Sequence, residues 1–131
     1  MDFKLEVIVV PVSDVDAAKT YYSEKMGFKL DNDVEIGPGM RIVQLTPPGS
    51  GCSIIVGTGL PPMEMMAPGS IKGLQLVVDD IEGARDELLG RGVECGDVQL
   101  MGPEGQDGAK FLFFEDPDGN AWAVQEWHGA G

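Results

Sequence analysis

The chain has 131 residues, with 9 basic and 22 acidic side chains and a formal net charge of -13. This length fits one compact domain with a real core, and the negative charge disfavours binding to nucleic acid or to an anionic membrane. No apolar run approaches the roughly 20 residues of a membrane span, and the N-terminus lacks the regions of a signal peptide. The only cysteines, Cys52 and Cys95, have no CxxC spacing. A reduced, cytoplasmic protein is therefore expected.

One motif occurs twice and organises the chain. Val12–Lys19 and Val78–Arg85 share a valine, an aspartate and an alanine at equivalent positions, with conservative exchanges at three others. Each copy follows an apolar run and leads into a helical pattern that ends at a glycine, Gly27 or Gly92. Such a repeat predicts two copies of one supersecondary unit, which bury their apolar faces by pairing.

The elements predicted in chain order are the same in both copies. In the first, they are a strand over 5–10, a helix to about Met26, and strands over 28–36, 40–45 and 52–57. In the second, they are a strand over 71–78, a helix to Gly92, and strands over 93–100, 110–115 and 121–127. Residues 102–108 are predicted to form a polar, glycine-rich loop. The chain is thus one domain, 1–131, with module one at about 4–57, a linker without clear periodicity at about 58–70, and module two at about 71–127.

Acidic residues mark both helix starts. Ser13 with Asp16, and Asp79 with Glu82, have the spacing of capping boxes. We therefore expect Asp79 to cap the second helix and Asp80 to join its first turn, rather than the two forming an acid–base pair.

The duplicated βαβββ unit, the acidic strand-to-helix junctions and the Asp116-Pro117-Asp118-Gly119-Asn120 turn together resemble the vicinal oxygen chelate superfamily. This superfamily contains glyoxalases, bleomycin-resistance proteins and extradiol dioxygenases. The resemblance implies an α+β fold in which each βαβββ module curls its sheet into half a cup. The two halves make a cleft, often with a homodimer partner contributing.

The resemblance also implies where a metal would be held. Family enzymes bind a divalent ion on four His, Gln or Glu side chains, and the matching positions here are Val7, Ser53 (or Ile55 in a shifted register), Gly73 and Ala123. None is a strong ligand, so we expect a metal-independent protein without a cofactor. The single histidine, His128, lies beyond the last strand, near a glycine-containing tail.

A shifted register would offer other oxygen ligands. These would be Glu6, Gln75, Gln125 and Glu126, with Glu6 and Glu126 facing the cleft. Strand alternation turns these two glutamates away from it. A displaced metal site is therefore disfavoured.

The same alternation predicts which side chains line the cleft. They are Val7, Val9, Ser53, Ile55, Gly73, Gln75, Val77, Ala123 and Gln125, whereas Ile8, Val10, Leu74, Leu76, Trp122 and Val124 pack beneath the helices. Trp127 could line the cleft mouth or a dimer contact. Gln75 and Gln125 could orient a ligand, or bond to each other, to backbone or to water.

Arg41 and Gln44 lie on opposite faces of one strand, so at most one faces the cleft. Tyr22 is expected in the core, and Tyr21 on the surface.

The leading interpretation is a homodimeric protein that binds a small organic molecule in an apolar cleft without metal. One alternative is a lyase, isomerase or dioxygenase of the same superfamily with a displaced metal site. Another is a non-catalytic interaction or regulatory module. The sequence assigns no catalytic residue.

Overall fold

The computed structural model describes residues 1–102 and 108–128. These residues form eight β-strands, three α-helices and one π-helical turn. The strands are β1 (Val7–Val9), β2 (Lys29–Gly37), β3 (Met40–Thr46), β4 (Ser53–Thr58), β5 (Leu74–Val78), β6 (Gln99–Met101), β7 (Ala109–Glu115) and β8 (Ala121–Glu126). The helices are α1 (Val15–Thr20), which continues into the π-helical turn (Tyr21–Lys25), α2 (Pro61–Met65) and α3 (Ile81–Gly90).

The strands form two sheets of the same topology. Sheet 1 has the order β1-β4-β3-β2, and sheet 2 has the order β5-β8-β7-β6. In each sheet the first strand runs parallel to its neighbour, and the other pairs are antiparallel. The predicted α+β fold of two βαβββ modules is therefore confirmed.

Two predicted elements differ from those observed. The segment before module two, predicted to lack periodicity, contains α2, whose two prolines occupy the first helical positions, where their fixed φ favours a helix start. The strand predicted over 93–100 is reduced to β6 and an isolated bridge between Cys95 and Phe114. Between them lies Gly96, whose carbonyl accepts a hydrogen bond from the Arg85 side chain at 3.0 Å. The predicted loop 102–108 falls largely outside the described residues, as does the tail after His128.

The helix caps also differ from the prediction. Asp14 accepts the N–H of Ala17, and Asp80 accepts the N–H of Gly83, each at 3.1 Å. The N-caps are therefore Asp14 and Asp80, and the predicted caps Ser13 and Asp79 are wrong. Asp14 and Asp80 are the aspartates shared by the two copies of the repeated motif, so the duplication extends to the capping contacts.

The two sheets share one hydrophobic core. Trp122 of β8 packs against Tyr22 and Phe28 of module one, with ring centroids 5.8 and 5.9 Å apart. Buried side chains from both modules extend this core: Val10, Val43, Leu45, Ile54, Val56, Leu74, Ile81, Leu88, Leu112, Phe114 and Val124. The helix-bearing sides of the sheets thus face each other, and their opposite faces lie on the outside of the chain. We call these outer faces open face 1 (Val7, Val9, Gln44, Ser53 and Ile55) and open face 2 (Gln75, Val77, Phe111, Phe113, Ala123 and Gln125).

A buried polar cluster joins the modules. The Tyr22 hydroxyl donates to the Asp116 carboxylate at 2.6 Å and accepts the Trp122 indole N–H at 3.0 Å. Asn120 donates to Asp116 and to the carbonyl of Pro11, both at 2.8 Å. Burial and the bond to Asp116 raise the pKa of Tyr22 far above its ordinary value, so the phenol stays neutral. The Asp116–Asn120 turn therefore serves as the bridge between modules.

A salt-bridge network fixes α1 on sheet 1. Arg41 makes a bidentate pair with Asp33, at 2.9 and 2.8 Å, and reaches Asp16 on α1 at 2.8 Å. Lys19 of α1 also binds Asp33, at 2.8 Å. Arg41 thus lies on the helix side of the sheet, and Gln44 is the member of that pair on open face 1.

Replacing Tyr22 with Phe should destabilise the fold. The change removes one of the buried bonds to Asp116 and leaves the Trp122 indole without its acceptor, which costs roughly 1–3 kcal/mol. The free energy of unfolding is measured by urea denaturation. Tyr21→Phe is the matched control, because that hydroxyl makes only a long bond, 3.4 Å, to the Glu115 carbonyl. Equal losses in the two variants would contradict the role of the cluster.

The contribution of Asp33 should depend on pH. Bonds from Arg41 and Lys19 hold the pKa of this carboxyl well below its ordinary value. A lowered native pKa stabilises the fold above the unfolded-state pKa of about 3.9, and this stabilisation is lost as the pH falls further. The stability difference between the parent protein and Asp33→Asn should therefore be largest near neutral pH and shrink in acid, as measured by urea denaturation. A difference that grows on acidification would refute this assignment.

Candidate functional site

Open face 1 brings four predicted cleft residues together. Val7 pairs with Ser53, and Val9 with Ile55, across the parallel β1–β4 ladder. Gln44 of β3 lies opposite Ile55. Ser53 is buried and shares a hydrogen bond of 2.6 Å with the hydroxyl of Thr46. This face is therefore an apolar patch with a single amide beside it.

Open face 2 brings together the other predicted residues. Gln75 pairs with Ala123, and Val77 with Gln125, along the parallel β5–β8 ladder. The Gln75 amide nitrogen donates to the Gln125 amide oxygen at 2.5 Å. Of the roles considered for these two side chains, bonding to each other is the one observed. The Gln75 oxygen and the Gln125 nitrogen keep their capacity to bond to a ligand.

Open face 2 also carries an aromatic pair that was not among the predicted cleft residues. Phe111 lies opposite Gln125 and Phe113 opposite Ala123. Their rings stack in parallel, with centroids 6.1 Å apart and an interplanar angle of 5°, and 41% of Phe113 is exposed. The signal was present, because the alternation applied to the other strands also separates these residues from Leu112 and Phe114 in the core.

Trp127 extends the aromatic character of this face. Its backbone N–H donates to the Val78 carbonyl at 2.9 Å, which holds it beside the end of β5. The residue is 53% exposed, and Val77 is 58% exposed. Since Trp127 follows Gln125 by two positions, strand alternation directs it to the same side. Open face 2 thus continues into an exposed aromatic platform, formed by Val77, Phe111, Phe113 and Trp127.

The residues at the family's metal positions do not fit a metal ion. Val7 and Ala123 offer no donor atom, Gly73 has no side chain, and the Ser53 hydroxyl is bonded to Thr46. Within residues 1–102 and 108–128, no group of three or more His, Cys, Asp or Glu side chains could hold an ion. The four positions also divide between two sheets whose open faces point outward.

The alternative oxygen ligands, Glu6, Gln75, Gln125 and Glu126, do not come together either. Glu126 accepts the N–H of Ile81, the first residue of α3, and bonds to His128, both at 3.0 Å, so it lies on the helix side of sheet 2. The bond from Ile81, followed by that from His128, lowers the pKa of Glu126. Glu6 lies just before β1 and is exposed to solvent. These carboxylates therefore do not converge with Gln75 and Gln125.

Two cavities beside β5 are lined by residues of both modules. The larger, of about 330 Å³, has Phe28, Leu76 and Leu88 in its lining. The smaller, of about 160 Å³, is lined in part by Ser53 and Gln75. The smaller volume is below the roughly 300–1,000 Å³ of pockets for drug-sized ligands.

A wider concavity, of about 540 Å³, lies away from both open faces and is lined by Tyr21, Lys25, Glu94 and Glu115 among others. Tyr21, predicted on the surface, is in fact buried, because its ring packs edge-on against Tyr22 with centroids 5.1 Å apart. Burial and the charge of Asp116 raise the pKa of Tyr21 to about 12. The phenol is therefore neutral near pH 7.

Comparison with known proteins identifies the family. Residues 4–124 match the model of the Glyoxalase/Bleomycin resistance protein/Dioxygenase superfamily. The chain belongs to this superfamily, as its repeat and its fold indicate. No helix among the described residues is long and apolar enough to cross a membrane.

Several relatives share nearly the whole chain. TnmS3, an antibiotic binding protein from Streptomyces sp. CB03234, is 33% identical, with a TM-score of 0.76 over 95% of this chain and 96% of its own. A superfamily member from Sphaerobacter thermophilus is 31% identical, with a TM-score of 0.76 over 96% of this chain and 98% of its own. The uncharacterized protein YetH of Bacillus subtilis is 26% identical over 94% of this chain and 98% of its own.

Proposed function

We propose that this protein binds a small aromatic molecule without a metal ion. The observation that carries the proposal is the exposed platform of Val77, Phe111, Phe113 and Trp127 beside the Gln75–Gln125 amide pair. Exposed apolar surface of this kind marks binding sites, and parallel rings favour a planar ligand by stacking. The amides would orient the ligand by hydrogen bonds. The similarity to an antibiotic binding protein supports the same function.

The proposed cleft needs two copies of the chain. Ligand pockets bury most of a ligand's surface, whereas open face 2 alone supplies one wall. Open face 1 of the same chain lies on the far side of the shared core, so it cannot supply the second. A homodimer in which open face 1 of one copy covers open face 2 of the other would give two equivalent clefts. Val7, Val9, Ser53 and Ile55 would then form the opposing wall.

The charge of the protein narrows the class of ligand that it is expected to bind. At a formal net charge of -13, long-range electrostatics favours a neutral or cationic aromatic molecule over an anionic one. We place the protein in the cytoplasm, since Cys52 and Cys95 are both free thiols.

Substituting Phe113 with Ser should weaken ligand binding. A panel of planar aromatic antibiotics is titrated, and quenching of tryptophan fluorescence reports binding beside Trp127. Loss of one stacking ring should raise the Kd about tenfold or more. The matched control is Leu100→Ser, which removes an exposed apolar side chain from the other face of sheet 2. Equal weakening by both substitutions, or no binding of any panel member, would contradict the proposed site.

Divalent metal should not stabilise the protein and should not be required for ligand binding. The untagged protein is analysed for metal content, and its thermal unfolding is followed with added Ni²⁺, Mn²⁺, Fe²⁺ and Zn²⁺. Because Val7, Gly73 and Ala123 have no side-chain donor atom and the Ser53 hydroxyl is bonded to Thr46, we expect no stoichiometric metal and no shift in Tm. Binding of an ion to the folded state would raise Tm by mass action, and such a shift would revive the enzyme interpretation.

A further inference from the structure

Three side chains form a chain of hydrogen bonds on the side of open face 1. The Thr46 hydroxyl donates to the Asp31 carboxylate, and its oxygen lies 2.6 Å from the Ser53 hydroxyl oxygen. Thr46 is the last residue of β3 and Ser53 the first of β4, and strand alternation places both on this side of sheet 1. We call Asp31, Thr46 and Ser53 the hydroxyl relay. It leads from the outer strand β2 to a residue of the proposed cleft wall.

A β-bulge allows Asp31 to make this contact. Asp31 stands between Leu30 and Asn32, whose partners on β3 are adjacent residues, so it has no partner of its own in the ladder. Leu30 pairs with the buried Leu45 on the helix-bearing side, which leaves Asp31 to the side of open face 1. A bulge bends its strand locally and re-aims a side chain. Here the carboxylate reaches back to Thr46.

The carboxylate fixes the direction of every hydrogen bond in the relay. An ionised carboxylate has no hydrogen to donate, and a hydroxyl group has only one. The Thr46 hydrogen is used in the bond to Asp31, so the hydrogen of the Thr46–Ser53 bond must come from Ser53. The Ser53 oxygen then has a lone pair to offer but no hydrogen. Toward a ligand, Ser53 is therefore an acceptor only.

Ser53 borders space that a small ligand group can enter. Only 6% of the residue is exposed, and it lines the cavity of about 160 Å³ together with Gln75. Within residues 1–102 and 108–128, its hydroxyl oxygen has no hydrogen-bond partner besides Thr46. A ligand hydroxyl or amino group would donate to this oxygen, whereas a ligand acceptor would place one oxygen lone pair against another. The relay therefore discriminates between ligands by their hydrogen-bonding groups.

We propose that Ser53 accepts a hydrogen bond from the ligand, and that Asp31 and Thr46 are positioning residues that keep it an acceptor. The ligand class is then narrowed to aromatic molecules that carry a hydroxyl or amino hydrogen. The inference rests on the proposed function and deepens it, because open face 1 selects the polar group of the ligand while open face 2 stacks on its rings. A protonated amine would also suit the formal net charge of -13.

The test compares two aromatic probes that differ at one hydroxyl group. The probe 6-hydroxyquinoline has a hydroxyl donor, and in 6-methoxyquinoline a methyl group replaces that hydrogen, so the ether oxygen can only accept. Isothermal titration calorimetry with the full chain gives the Kd of each probe. Since a hydrogen bond to a buried group is worth roughly tenfold in affinity, the parent protein should bind the hydroxyl probe about tenfold more tightly.

Thr46→Val breaks the relay without removing Ser53. The Ser53 hydrogen is then able to turn toward the ligand, so the preference for the hydroxyl probe should fall below about threefold. Asp31→Ala, at an exposed position, should have the same effect, whereas Thr46→Ser keeps the relay and should keep the preference. The matched control is Thr58→Val, which removes a threonine hydroxyl from the helix side of β4, where it donates to the Gly39 carbonyl at 3.1 Å.

The ratio of the two Kd values separates a positioning role from a structural one. Damage to the fold weakens both probes equally and leaves the ratio unchanged, and circular dichroism verifies folding of each variant. An unchanged ratio in folded Thr46→Val or Asp31→Ala, or an equal loss in Thr58→Val, would overturn the inference. A parent protein that binds the aromatic antibiotics but shows no preference between the probes, or binds neither probe, refutes only this inference. A parent protein that binds neither antibiotics nor probes refutes the proposed function as well.

Discussion

The arrangement of the modules depends on one buried hydroxyl. Tyr22 joins the carboxylate of Asp116 to the indole of Trp122 across a separation of about a hundred residues. A buried carboxylate without partners is very costly, and here Asp116 accepts four hydrogen bonds, from the Tyr22 hydroxyl, the Asn120 side chain and the N–H groups of Asp118 and Asn120. Any other packing of the modules would break some of these hydrogen bonds. The cluster therefore fixes the helix-bearing sides of the sheets against each other.

The proposed function follows from this constraint. With the helix sides turned inward, both open faces lie on the outside of the chain, and each can be only one wall of a cleft. The chemistry of these walls is apolar and aromatic, with the amides of Gln75 and Gln125 as the central polar groups. At the positions that the family resemblance implies for the His, Gln or Glu ligands of a metal ion, this chain has Val7, Ser53, Gly73 and Ala123. The function proposed for this scaffold is therefore recognition of an aromatic ligand rather than metal chemistry.

Local patterns predicted local structure well and the relation between modules poorly. The repeat at Val12 and Val78 predicted both modules, and alternation correctly placed Ser53 beside Val7 and Gln75 beside Ala123. Adjacent aspartates made the cap of α3 ambiguous, because Asp79 and Asp80 both suit that role. The Phe111–Phe113 pair was not predicted, because it lies on β7, whereas the metal positions implied by the resemblance lie elsewhere. The outward direction of the open faces depends on the contact between Tyr22 and Asp116, which no local pattern encodes.

A subunit-mixing measurement tests the shared cleft most directly. Ile55→Ser damages open face 1, and Phe113→Ser damages open face 2, so each variant alone should bind the aromatic ligand weakly. If each cleft combines open face 1 of one copy with open face 2 of the other, a mixed dimer contains one undamaged cleft. Random exchange of equal amounts should then restore tight binding to roughly a quarter of all clefts. No recovery on mixing would contradict the account, because a cleft within a single chain would stay damaged in both variants.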